Sequence, residues 1–194
     1  MAPDAPVRSR TLSRKIAVAL LYWQDGSGLS AEDTLALFLD NFQPDNDPEN
    51  ILGVGSAPFK ASWPLAREFF AGVMDNLATV DEGLSRGSSS WRLDRFSKVE
   101  RAIARLSAYE LYFRSDIPPK VSLNEAIEMA KEFGDVETPD FVNGILDELR
   151  REIARDKGDG PSPAAGRLMK SVPAKEAGRG PEKAARRGKE PYDL

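Results

Sequence analysis

The chain contains no cysteine and no histidine. The first absence excludes disulfides and thiolate metal sites. The second removes imidazole ligands, and together they exclude Ser-His and Cys-His nucleophiles and a histidine general base. No cofactor is implied. No apolar run approaches the 18 or so residues that span a bilayer, and Met1 to Arg14 lacks the apolar core of a signal peptide, so a cytoplasmic protein with no membrane partner is expected.

Cations are in overall deficit, with a net charge of −4 over 194 residues, but they are not evenly spread. Residues 1–155 carry 18 Lys/Arg against 25 Asp/Glu, whereas residues 156–194 carry 9 against 6. An acidic body still binds nucleic acid where its cations are concentrated, so local clusters matter more than the sum. One such cluster is Arg8, Arg10, Arg14 and Lys15, with Asp4 the only acid upstream.

What the sequence has in abundance is helical periodicity. In Ser97–Phe113, Val99, Ala102, Ile103, Leu106, Tyr109 and Phe113 recur at three- and four-residue steps, with Glu100, Arg101 and Arg105 largely off that stripe. The spacing predicts a central amphipathic helix, and its apolar face needs other helices to cover it.

A first helix is expected over Ile16, Ala17, Leu20 and Leu21 to Tyr22-Trp23, carrying residues 1–13 as a basic arm. Ser30 is placed to cap a second, whose buried stripe is Leu35, Phe38, Leu39 and Phe42. Pro44 to Lys60 reads as a loop. Asp45-Asn46-Asp47 fails as a calcium loop because positions 50 and 56 are Asn and Ser, and Gly53-Val54-Gly55 lacks the third glycine of a phosphate loop.

Pro64 suits the start of a third helix whose stripe runs from Ala66 to Leu84. Trp91 reads as an anchor for a short turn before the central helix. Ser122-Leu-Asn-Glu125 has the pattern of a capping box. Gly134 suits a left-handed helix end, and Thr138-Pro139 an N-cap followed by proline. Phe141, Val142, Ile145, Leu146, Leu149 and Ile153 form the last stripe, and the ordered body is expected to finish near Arg155. From Asp156 onward, Gly, Pro and Ala supply 17 of 39 residues, too little apolar surface to bury, and disorder is expected.

The stretches Trp91–Phe96, Val99–Leu111, Val121–Gly134 and Phe141–Asp147, with Arg14–Tyr22 at the other end, closely resemble the NusB family of bacterial transcription antitermination factors. Their order and spacing across residues 8–153 carry the likeness. The loop from Pro44 to Lys60, an insertion, and the tail lie outside it. The resemblance implies an all-α fold of two small helical bundles, six to seven helices over residues 14–155, with no enzymatic activity. It also implies partners: the ribosomal protein NusE, boxA-type single-stranded RNA, and the antitermination complex of RNA polymerase, notably in ribosomal RNA synthesis.

Residue by residue, it assigns Arg8, Arg10, Arg14 and Lys15 to an RNA-binding arm, and Tyr22 to the surface near RNA and partner. Phe133 and Phe141 fall at aromatic positions by the RNA face, with Lys120 and Asn143 as polar contacts. Glu100 and Glu137 match acids on the NusE side. If the four arm cations all meet phosphates, log affinity should fall against log salt with a slope of roughly −3, at about −0.7 per contact.

The residues alone leave second readings open. The arm is equally a solvated terminus, Phe133 and Phe141 sit on buried stripes, Tyr22 can hydrogen-bond at a helix end, Glu100 can join a surface ion pair, and Asn143 can cap backbone. NusB-like domains also occur attached to RNA cytosine methyltransferases, but the cofactor domain and catalytic cysteine those need are missing. The remaining alternative is a helical protein-interaction module or homodimer without RNA affinity.

Overall fold

In the computed structural model the described residues are 5–42, 44–45, 50, 52–86 and 95–158, with side chains described from Ser9 to Asp156 within them. They form seven helices and, among the described residues, no strand: α1 Ala5–Gln24, α2 Ala31–Asn41, α3 Ser56–Asp75, α4 Leu77–Arg86, α5 Lys98–Phe113, α6 Pro119–Phe133 and α7 Thr138–Gly158. None is long and apolar enough to cross a membrane.

The helices make two bundles. α1 lies along α3, with α2 across their end, and α4 to α7 pack around one another. α5 touches α1 and α3 on one side and α4, α6 and α7 on the other, so the central helix anticipated from its stripe joins the two halves. Ile103 and Leu106 are fully buried there. The approach of α3 to α5 is tight enough to require glycine: a Cβ on Gly72 would come within 2.3 Å of the Tyr109 ring.

Several boundaries differ from the sequence expectation, each for a local reason. Residues 5–13 are not an arm separate from α1 but its first turns. Pro6 is tolerated at the second helical position, Leu12 is buried, and the Ser13 hydroxyl donates to the Ser62 carbonyl of α3 at 2.9 Å, which docks this segment.

α3 begins at Ser56, not Pro64, and runs through that proline. The Asp45 carboxylate accepts from the Ser56 backbone N–H at 2.9 Å and from its hydroxyl at 2.5 Å. Phe59 and Trp63 then pack with Phe38 and Phe42 in one aromatic cluster, which holds the turns before the proline. The long stripe from Ala66 to Leu84 is two helices, broken at Asn76, whose side chain donates to the Gly72 carbonyl at 2.8 Å and whose own carbonyl accepts from Val80.

On α2 the Ser30 cap is present, its hydroxyl accepting from the Asp33 N–H at 3.0 Å. The inward face is Thr34 and Phe38, while Leu39, expected to be buried, is 45% exposed. The capping box belongs to α5 rather than α6. Ser97 accepts from the Glu100 N–H at 3.2 Å, and the Glu100 carboxylate accepts from the Ser97 N–H at 2.8 Å. Ser122 is instead an interior residue of a helix that starts at Pro119.

Gly134 is extended (φ −102°, ψ −178°), so the left-handed reading fails. It is small for a different reason: a Cβ there would meet Thr138 at 2.5 Å. Thr138 lies in the first turn of α7, and its hydroxyl accepts from the Asp135 N–H at 3.0 Å. α7 continues to Gly158, three residues past the expected end. Trp91 and the tail from Asp159 lie outside the described residues.

Candidate nucleic-acid interface

α1 runs antiparallel to α5 and alongside α6, as its side-chain partners record. Arg14 meets Glu110 of α5; Thr11 and Lys15 meet Glu125 and Glu132 of α6; Tyr22 lies beside Lys98 at the start of α5. The interface therefore has two ends, and the sequence-assigned residues divide between them.

At one end is a groove of about 450 Å³ between α1, α2 and the adjoining ends of α5 and α6. Lys15 and Tyr22, two turns apart on α1, line it with Phe133, which comes from the end of α6. Tyr22 is 43% exposed. Phe133 is half-buried, with the Lys15 Nζ 6.0 Å from its ring centroid, a cation–π arrangement. That ammonium is already paired, 2.6 Å from a Glu132 carboxylate oxygen. Exposed aromatic faces beside cations are the means by which single-stranded nucleic acid is held, bases on rings and phosphates on charges.

The rest of the groove was not signalled by any site motif. Trp23, 42% exposed, stands edge-on to Phe38 at 5.6 Å, and Phe42, Leu52 and Val99 complete the wall. Leu52 comes from the loop that leads into α3 and is buried. Asn50 fixes that loop by donating to the carbonyls of Pro44 and Val54 at 2.9 and 2.8 Å. In the sequence these residues read only as core stripe or loop.

Arg14 is a correction. It is 3% exposed, and its Nε donates to Glu110 Oε1 at 2.8 Å while Nη2 reaches Oε2 at 3.4 Å. The Ser122 hydroxyl donates to the same carboxylate at 2.5 Å, and Phe69 covers the guanidinium at 5.6 Å. Its charge is neutralised and walled off, because a guanidinium this deeply buried persists only with a carboxylate beside it. It binds helices together and presents nothing to RNA.

Arg10 is exposed near the other end of α1, close enough to Asp116 for its charge to favour that carboxylate. At 1.5 Å per residue it stands about 18 Å from Tyr22. Lys120 is exposed at the start of α6, about 20 Å from Phe133 by the same rise. The Arg8 side chain lies outside those described.

Phe141 is half-buried outside the groove, edge-on to the buried Phe96 at 4.8 Å. Asn143 is exposed but two residues on, so the two point about 200° apart around α7. Glu137 is exposed at the entry to α7. Glu100, expected as an exposed acid, is half-buried and occupied in the α5 cap.

At the Arg10 end, Arg114 forks onto Asp116 at 2.8 and 2.9 Å and reaches Glu68 of α3 at 2.8 Å. These bonds hold the Asp116 carboxyl down to about 2 and push the Arg114 guanidinium further up.

A family model described as the NusB family matches residues 11–151. The chain is 37% identical over 150 residues to the transcription antitermination protein NusB of Geobacter sulfurreducens, covering 77% of this chain and 99% of the relative. To that of Trichlorobacter lovleyi it is 41% identical over 140 residues, covering 72% and 89%. Among solved structures it superposes on the NusB of T. maritima with a TM-score of 0.58 at 33% identity, covering 74% of this chain and 91% of that one. It also superposes on a crystal structure of antitermination factors NusB and NusE in complex with dsRNA, with a TM-score of 0.60 at 20% identity, covering 75% and 98%, a likeness of fold alone. The match runs through both bundles and through the helices that build the groove, and by it this chain belongs to the NusB family.

Proposed function

We propose that the chain is a transcription antitermination factor, which binds boxA-type single-stranded RNA together with the ribosomal protein NusE and acts on elongating RNA polymerase, notably during ribosomal RNA transcription. The observation that carries this reading is the convergence of Lys15, Tyr22 and Phe133 on one groove. Two aromatic rings, one of them with the Lys15 ammonium beside it, suit unpaired bases and their phosphates. The curated relatives bear the name of antitermination proteins, which supports the same role.

The role is one of binding and needs no reaction, so the chain is assigned no enzymatic activity. Its proposed ligand, nascent RNA on polymerase, assigns its work to the cytoplasm. Arg10, with Arg8 beside it in sequence, extends the RNA path along α1, and Lys120, Phe141 and Asn143 are assigned outlying contacts. Glu137 and Glu100 are assigned to the NusE side.

The test is a titration of labelled boxA-type RNA against the full chain, with and without purified NusE, at two salt concentrations. Cooperative tightening by NusE is expected. Absence of binding in both cases would overturn the reading in favour of a helical interaction module or homodimer, which sedimentation at several concentrations would then distinguish.

A further inference from the structure

Beside the groove, against the Tyr22 that helps to line it, stands a second cation, assigned to no role by the resemblance. Lys98 is the first residue of α5, is exposed, and holds its Nζ 5.8 Å from the centroid of the Tyr22 ring. Lys15, which lines the groove, and Lys98, which stands beside it, differ in electrostatic state. Lys15 is committed to Glu132. No carboxylate among the described residues lies within 4.0 Å of Lys98.

The nearest acid in sequence, Glu100, has turned back to accept from the Ser97 N–H, and Asp25, at the end of α1, is held by Arg101 and Arg105 at 3.2 and 3.0 Å. Arg14, the other cation in this part of α1, is buried against Glu110. Among the described residues, the cation beside Tyr22 with no carboxylate partner is therefore Lys98.

We infer that Lys98 is the phosphate contact of the Tyr22 half of the groove. The inference rests on the RNA-binding reading above. A base stacking on Tyr22 takes the ring face that the ammonium now covers. The displaced ammonium, on a flexible four-carbon stem, then meets the flanking phosphate as a point charge, with no carboxylate among the described residues to give up first.

The experiment measures the affinity of the full chain with NusE for labelled boxA-type RNA across a tenfold range of salt, for the wild type, Lys98→Gln and Lys98→Arg, with helix content checked by circular dichroism. Removing one phosphate contact should make the slope of log affinity against log salt shallower by about 0.7, so the advantage of wild type over Lys98→Gln should shrink roughly fivefold across that range. Lys98→Arg should keep the wild-type slope. If the wild type binds and Lys98→Gln matches it in affinity and slope, the assignment of Lys98 is overturned while the RNA-binding reading stands. If the wild type does not bind, both fall.

Discussion

The Arg14 guanidinium and the Glu110 carboxylate lie 2.8 Å apart with side chains only 4% and 2% exposed, joining α1 to α5. The Ser122 hydroxyl brings α6 to the same carboxylate, and Glu125 adds a second acid, 3.8 Å from the guanidinium. Removing one member strands a buried charge, so Arg14→Ala or Glu110→Ala should lose about 3–5 kcal/mol in chemical denaturation. The double replacement Arg14→Met/Glu110→Leu should recover part of that loss. Single variants as stable as the wild type would contradict the packing role given to Arg14.

Tyr22 offers a cleaner probe of the groove than Phe133, because it is 43% exposed and its loss leaves little of the core uncovered. Tyr22→Ala should weaken RNA binding by about 1–3 kcal/mol if a base stacks on the ring. Its thermal midpoint should stay near that of the wild type. Full affinity in an anisotropy titration would remove Tyr22 from the interface.

For Glu100 the cap and the partner surface must be separated. Glu100→Ala should cost about 1 kcal/mol through the lost capping bond alone. Glu100→Gln keeps a side-chain oxygen able to accept from Ser97, so stability should hold while the charge is gone. If the charge faces NusE, calorimetry should show weaker binding for Glu100→Gln at unchanged stability; equal affinity would assign Glu100 to the helix cap only.

The carboxyl of Asp116 should titrate with a midpoint of about 2, held down chiefly by its hydrogen bonds from Arg114. Its folded value is depressed below the ordinary range of an aspartate, so the stabilisation it provides is complete at and above that range and is lost as pH falls towards 2. Carboxyl chemical shifts read this directly. A midpoint near the ordinary value, or one unmoved in Arg114→Ala, would show that the ion pair does not form in solution.

The stripes of α5 and α7 were legible because burial on one face leaves a periodic record, and Ile103, Leu106, Val142 and Leu149 are fully buried as their spacing requires. Boundaries were less so. The Ser-x-x-Glu pattern occurs at both Ser97 and Ser122, and which serine caps a helix depends on where the chain turns: Pro119 starts α6 early enough to carry Ser122 inside. Arg14 reads as arm in sequence because its partner Glu110 is distant along the chain. The groove was half legible. Lys15, Tyr22 and Phe133 came from resemblance, while Trp23 and Leu52 in its wall, and Lys98 beside it, depend on how α1, the loop leading into α3 and α5 meet.

The pairing of Lys15 with Glu132 separates what a salt titration counts from how tightly RNA is held. When Lys15 moves to a phosphate it first gives up Glu132, so part of the contact's free energy goes into breaking that pair, while the cation it displaces from the RNA is released all the same. With Arg14 sealed in the core, three of the four arm cations are left for phosphates, and their slope should be about −2 rather than roughly −3. Arg14 thus lowers the number of ions released, and the Lys15–Glu132 pair lowers the affinity gained per ion.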